Sequence, residues 1–227
     1  NYFDCPVTHL GGTKNKADAM AGSVPISIKR KKGLANGSFD WINTSSTNGI
    51  IDRTVFTDFF KFVKYSRENS IECDITEVRD WYNKCCEAAL SKITPSQVTD
   101  FLQRQVCDKQ AGFKLVIADT DKDTLFIIDH ERTPLAQLLS KGYTANVVMG
   151  KGKSSAKIIF SAPGKDINDI GSGVDIGLRI RCTSNNGINA MLGLSKANKN
   201  SQTVIKIQQD QVQQFVNDSS PTIVFAD

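Results

Sequence analysis

Between Phe56 and Val106 the apolar residues recur every three or four positions, and from Phe113 onward they fall into short alternating runs. That change of period constrains the fold more than any other feature. Three helical patterns in mid-chain, with strand patterns on both flanks, exclude a helix bundle and an all-β sandwich. The pattern predicts an α/β (α+β) protein: a mixed central β-sheet, a helical block in the middle of the chain, and a β-rich C-terminal part.

The first helix is read in "TVFTDFFKFVKYSREN", where Phe56, Phe59, Phe60 and Val63 form an apolar face and Lys61, Lys64 and Arg67 stay off it. The second lies in "ITEVRDWYNKCCEAALSKI", with Val78, Trp81, Cys85 and Ala88 as its inner side. The third carries its own start signal. Thr94 at the cap, Pro95 at the first helical position and Gln97 at the third make a capping box, with Val98, Phe101, Leu102 and Val106 buried behind it.

"FKLVIAD" and "TLFIIDH" then read as a hairpin joined through residues 120–123. Asp119, Asp121 and Asp123 imitate a calcium loop. The imitation fails, because Thr124 stands where that loop needs glycine and His130 where it needs glutamate. Further strands are expected at "TANVVMG", "AKIIFSAP", "VDIGLRIRC" and "INAMLGL", the last two joined by a hairpin turn at Asn185-Asn186-Gly187, and "TVIKIQQDQVQQFV" reads as a strand entering a short helix. Asn48-Gly49 reads as a tight turn ahead of the helical block. In the third of those strands Val174, Ile176, Leu178 and Ile180 alternate with polar positions. Arg179 and Arg181 are thus expected together on the outer face, either holding phosphates or making local ion pairs.

With 227 residues and no low-complexity linker or repeat, one compact domain over 1–227 is expected, built from a hairpin region at 1–51, a helical block at 52–109 and a β-rich part at 113–227. No run approaches the roughly 18 apolar residues of a membrane span, and the opening "NYFDCPVTHLGG" lacks the pattern of a secretory signal, so a cytoplasmic location is expected. The chain opens on Asn1 rather than Met, as a segment of a longer product would. Six cysteines without paired metal-site spacing read as free thiols, at least one of the adjacent Cys85 and Cys86 packing inside. Two histidines leave little material for a histidine-rich metal site. Charge is uneven: residues 1–40 carry six Lys/Arg and three Asp/Glu, 41–140 carry 12 and 15, and 141–227 carry 10 and 6. Two basic ends around an acidic middle suit a polyanionic partner if the ends meet.

The chemistry concentrates in "TKNKADAMAGSVPISIKRKKG". A turn at Gly22 lets the segment ending at Asp18 run antiparallel to "PISIKRK", where Ile26 and Ile28 are expected to be buried while Ser27 and Lys29 project together. Asp18, Ser27 and Lys29 then bring a carboxylate, a hydroxyl and an ammonium into one cluster. Lys14, Lys16, Arg30, Lys31 and Lys32 surround it with positive charge, and "GSFDWINTSSTNG" adds hydrogen-bonding groups such as Asn43.

This phrase resembles the metal-binding hairpin of the PD-(D/E)xK nuclease superfamily, which includes many restriction endonucleases: an Asp, a short gap, then an acid-x-Lys on the next strand. Here it reads Asp18 with Ser27-Ile28-Lys29, Ala17 replacing the name-giving Pro and Ser27 replacing the second acid. The resemblance spans about twenty residues. It implies a Mg²⁺-dependent endodeoxyribonuclease of a bacterium or phage. Asp18 and the backbone carbonyl of Ile28 would be metal ligands, Lys29 would orient the attacking water, and Ser27 would ligate weakly or hold a bridging water. Lys14, Lys16, Arg30, Lys31, Lys32, Asn43, Arg179 and Arg181 would contact double-stranded DNA. Enzymes of this kind often cut both strands as homodimers, although no heptad marks such a contact here. The rival expectation is a non-catalytic nucleic-acid-binding or phage-associated protein with a degenerate motif. A third is an assembly component whose basic surfaces meet an acidic partner.

Overall fold

The computed structural model describes residues 3–10, 17–31, 39–42, 49–151, 154–167, 173–182, 185–194, 206–209 and 223–224. The chain divides into two compact units. The first comprises residues 1–39, 102–143 and 209–227, and the second comprises 40–101 and 144–208.

The first unit is built on a mixed sheet of six described strands: β1 (Val7–His9), β2 (Ala19–Ala21), β3 (Val24–Lys31), β5 (Lys114–Asp119), β6 (Thr124–Asp129) and β11 (Ile223–Val224), hydrogen-bonded in that order. Strands β1, β2 and β3 form an antiparallel meander, β3 runs parallel to β5, and β5, β6 and β11 are again antiparallel. Between β2 and β3 the chain reverses through Gly22 and Ser23. Gly22 has φ +58°, a conformation that glycine adopts without penalty. The β5–β6 turn is held by Asp119, whose carboxylate accepts the Asp121 N–H at 3.2 Å.

One face of this sheet closes around Ala19, Ala21, Ile26 and Val116, with Phe3, Cys5, Leu125 and Ile127 packed against them. Leu115, Ile117 and Phe126 are buried on the other. Helix α4 (Pro134–Ser140) begins at Thr133, whose hydroxyl accepts the Ala136 N–H at 3.4 Å, with Pro134 at the first helical position. Thr133-Pro134 thus repeats the Thr-Pro start signal of Thr94-Pro95.

In the second unit a tight turn at Arg53–Phe56, capped by Asp52, leads into α1 (Thr57–Glu68), which is followed by α2 (Ile75–Leu90) and α3 (Pro95–Leu102). Asp74 caps α2 by accepting the Thr76 N–H at 2.7 Å. The capping box of α3 is present as expected: Gln97 accepts from the Thr94 N–H at 3.0 Å, and the Gln97 N–H donates to the Thr94 hydroxyl at 3.3 Å. The chain continues from α3 through a π-helical turn, Gln103–Cys107. Strands β4 (Phe39–Ile42), β7 (Thr144–Met149), β8 (Ser155–Ser161), β9 (Leu178–Arg181) and β10 (Lys206–Gln209) form a second sheet in the order β4-β10-β9-β8-β7. The Thr99 hydroxyl ties α3 to this sheet by accepting the Ala145 N–H at 2.8 Å. The mixed α/β class, the mid-chain helical block and the β-rich remainder are thus as expected.

Three local expectations are corrected. In α2 the inward aromatic is Tyr82, fully buried against Phe56 and Phe59, while Trp81 and Ala88 flank the stripe. Trp81 sits edge-on to Phe59 at 5.5 Å and keeps 37% of its surface exposed. The true stripe is Val78, Tyr82, Cys85, Cys86 and Ala89, a run at helical spacing. Both adjacent cysteines are inside.

Secondly, "INAMLGL" is no strand: Asn185–Met191 is helix α5, and Asn185-Asn186-Gly187 opens it instead of turning a hairpin. Ile188 and Met191, three apart, are buried, and Asn189 accepts a hydrogen bond from Arg79 of α2 at 3.1 Å. Tertiary packing decides a run too short to declare its own period.

Thirdly, the strand read across 174–181 is regular only over Leu178–Arg181, with an isolated bridge from Val174 to Phe160. Asp175 accepts the Gly177 N–H at 2.9 Å and Gly177 has φ +77°, so an Asp-x-Gly turn interrupts the alternation. Asn48 and the helix expected after 209 lie outside the described residues.

Candidate functional site

Asp18 stands at the mouth of the β2–β3 hairpin. Its main-chain N–H donates to the Ile26 carbonyl at 2.8 Å, and its carbonyl accepts the Leu10 N–H at 3.1 Å, so the residue is fixed between two strands. The ladder pairs Ala19 with Ile26. One step further brings Asp18 opposite Ser27, as the sequence reading expected. The Asp18 Oδ2 accepts from the Ile28 N–H at 2.6 Å and from the Ser27 hydroxyl at 3.4 Å. The first bond is short and charge-assisted; the second is at the limit of hydrogen-bond geometry.

Ile26 is buried as expected, but the next two residues depart from the expectation. Ser27 is 6% exposed and Ile28 is 44% exposed. The cause is the shortness of β2, which begins only at Ala19, opposite Ile26, and leaves Ile28 past its shelter. Ser27 lies on the face of Leu115 and Ile117, the more deeply covered one. Lys29 holds the register position opposite Ile117, two places along from Ser27, and Lys31 the position opposite Asp119, a buried carboxylate.

Strand geometry bears on the proposed backbone ligand. Within a strand the N–H and C=O of one residue project toward the same edge. The Ile28 N–H reaches Asp18, so the Ile28 carbonyl projects toward the edge that the Asp18 carboxylate occupies. A carboxylate offers about four acceptor positions, so two hydrogen bonds at Oδ2 do not by themselves exclude a cation. One carboxylate beside a strand carbonyl suits Mg²⁺, which keeps several waters and takes few protein ligands. Among the described residues no group of three or more His, Cys, Asp or Glu side chains is gathered to hold a metal. Ser27 spends its hydroxyl on Asp18, which makes it a support for that carboxylate.

The other expected contacts divide. Arg30 and Lys31 follow Lys29 on β3. Lys14, Lys16, Lys32 and Asn43 lie outside the described residues. In the second unit Arg181 is exposed at the end of β9, whereas Arg179 grips Asp175 with both guanidinium nitrogens, at 2.8 and 3.1 Å. Lys157 approaches the same carboxylate at 3.5 Å. Burial alone would raise the Asp175 carboxyl. The Arg179 hydrogen bond, the Gly177 amide and the charges of Arg179 and Lys157 outweigh it and hold the group below its ordinary value of 3.8. The local ion pair, one of the two readings of this arginine, is what the structure contains. Its signal in the sequence was the Asp-x-Gly turn, which curls Asp175 back toward Arg179.

No helix among the described residues is long and apolar enough to cross a membrane. No family model matches the chain, and no curated protein or solved structure does so either.

Proposed function

We propose that this chain is a Mg²⁺-dependent endodeoxyribonuclease of the restriction type, hydrolysing phosphodiester bonds of double-stranded DNA in a bacterial or phage-infected cell. The observation that carries the reading is the convergence of the Asp18 carboxylate with Ser27 and the Ile28 edge of β3, one position before Lys29. Mg²⁺, when bound, supplies charge neutralisation at the phosphate and a more acidic water. Asp18 anchors the cation, with the Ile28 carbonyl as a second oxygen. Ser27 and the Ile28 N–H hold the carboxylate in one orientation. Lys29 stabilises negative charge on the nucleophile and on the phosphate oxygens. Arg30, Lys31 and Arg181 neutralise the DNA backbone.

The burial of Ser27 favours a second reading, a DNA-binding protein with a degenerate motif, because the place of the second acid is taken by a hydroxyl turned inward. One assay separates the two. The full chain is incubated with phage and plasmid DNA, with Mg²⁺ or with chelator. Discrete fragments that require Mg²⁺ support the nuclease. DNA retained but uncut under every condition overturns it in favour of the binder.

A further inference from the structure

The end of α5 gathers two arginines that the nuclease reading does not use. Phe62 of α1 meets Trp81 of α2 at 5.4 Å between ring centres, so residues 69–74 fold α2 back along α1. Arg67, in the last turn of α1, and Arg79, in the second turn of α2, therefore lie toward the same end of the helix pair. Helix α5 packs against both helices. The Arg79 Nη2 donates to the Asn189 Oδ1 at 3.1 Å, and Arg67 runs beside Gly193, where an added Cβ would stand 3.8 Å from the Arg67 Cγ. Asn189 and Gly193 are about one helical turn apart, so the two arginines reach the same end of α5.

Neither arginine meets a counter-charge among the described residues: no carboxylate there pairs with Arg67 or Arg79, and neighbouring Glu68 faces Lys64 at 4.0 Å. Nor are they needed to close the helix. The Ile188, Asn189 and Ala190 carbonyls accept the N–H groups of Leu192, Leu194 and Gly193, and Gly193 has φ +80°, the left-handed cap of a Schellman ending. Arg79 is half-buried, and its Nε, shut off from solvent, makes no hydrogen bond. The guanidinium is always charged and its charge is delocalised, so an anion at the outer nitrogens offsets the cost of burying the rest. Asn189 adds direction: with Oδ1 accepting from Arg79, its amide hydrogens remain as donors.

We propose that Arg67, Arg79 and Asn189 form a phosphate-binding site at the end of α5. Two guanidinium forks carried on separate helices, with an amide between them, offer donors from several directions, which suits a tetrahedral oxyanion better than a planar carboxylate. The phosphate recognised is either a free ion or a group of a nucleic-acid backbone, and its chemistry is the same in both.

The test follows the arginine Nε–H signals of the full chain by nuclear magnetic resonance, with chelator present so that DNA stays whole. Inorganic phosphate is titrated in one arm against sodium chloride of matched ionic strength, and a short DNA duplex in the other. The Arg79 signal is assigned by its loss in Arg79→Lys. A saturable shift of that signal with inorganic phosphate supports the site and makes its ligand a free phosphate; a shift with duplex alone supports it and makes the ligand a backbone phosphate. In whichever arm responds, Arg67→Gln should weaken binding by about tenfold, the loss of one charge-assisted contact. Arg67 is exposed, so this variant keeps the test decisive if changes at Arg79 disturb folding. No shift in either arm, or wild-type affinity in Arg67→Gln, would overturn the proposal. Neither result depends on whether the chain cuts DNA, because Asp18 belongs to the other unit.

Discussion

Asp18→Ala and Asp18→Asn together separate what the carboxylate does for the fold from what it does for catalysis. In the wild type Oδ2 takes the Ile28 N–H at 2.6 Å, a bond to a charged acceptor at an exposed position. Bonds to charged groups are worth roughly 1.5–3 kcal/mol when protected. Here water can reach the amide once the side chain is cut back, so the loss in Asp18→Ala should be about 1 kcal/mol. The Ser27 contact at 3.4 Å adds little. For a chain of this length that is a fall of about 2–4 °C in melting temperature. Asp18→Asn keeps an oxygen for the Ile28 N–H and should melt close to the wild type. Both variants lose the metal anchor, and cleavage should fall by more than about a hundredfold, since changes merely behind a metal ligand already cost about ten- to hundredfold. Both tryptophans, Trp41 and Trp81, belong to the second unit, so tryptophan fluorescence would miss the event. Hydrogen exchange at the Ile28 amide, set beside a plasmid-nicking assay, reads both quantities. Wild-type cutting by Asp18→Asn would reduce Asp18 to a cap on a strand edge. Unchanged exchange at Ile28 in Asp18→Ala would refute the hydrogen-bond argument itself.

Other consequences can be checked directly. Arg179 is committed to Asp175, so Arg181→Ala alone should lower the slope of log K against log salt for DNA binding by about 0.9, and Arg179→Ala should leave it unchanged; equal slopes in the two variants would contradict this. Asp175 titrates below its unfolded value, so its contribution to stability is present above about pH 4 and is lost as pH falls through the folded value. Acid unfolding curves of the wild type and Asp175→Asn should therefore converge at low pH and diverge above it. Thr94→Ala removes the α3 capping box and should cost about 1 kcal/mol in denaturant unfolding. Cys107, pushed up to about 11 by burial and then by the charges of Asp108 and Glu131, should stay unalkylated by iodoacetamide at pH 8 in the folded protein.

What could be read from the sequence was what is encoded over short distances. Thr94, Pro95 and Gln97 specify a helix start with their own side chains, and the structure repeats it bond for bond. The meeting of Asp18 and Ser27 was legible because a two-residue turn fixes register. Alternation shows which residues share a face of a strand, and nothing more. How far along a strand each face stays covered depends on where β2 stops and on what packs beyond it: Ile26 is buried, Ile28 on the same face is exposed, and Ser27 on the other face is buried. Trp81 and Tyr82 differ by one step around a helix, and only the rings of Phe56 and Phe59 decide between them. For "INAMLGL", packing against helices about a hundred residues earlier outweighs any local preference.

The parallel pairing of β3 with β5 carries a consequence for the order in which the protein can be built. During synthesis β1, β2 and β3 emerge together as a meander, with Asp18 already beside Ser27. The strand that covers the other edge of β3 is not made until all of 40–101, which belongs to the other unit, has left the ribosome. At roughly 5–20 residues per second the edge bearing Lys29 and Lys31 stays unpaired for several seconds or more. An open edge of that kind is a template for pairing with another chain. The lysines there, and Arg30 between them, carry like charges that repel a second copy of the same strand. Charge on this strand therefore has a use before the protein is finished, in keeping the nascent edge from pairing with another copy.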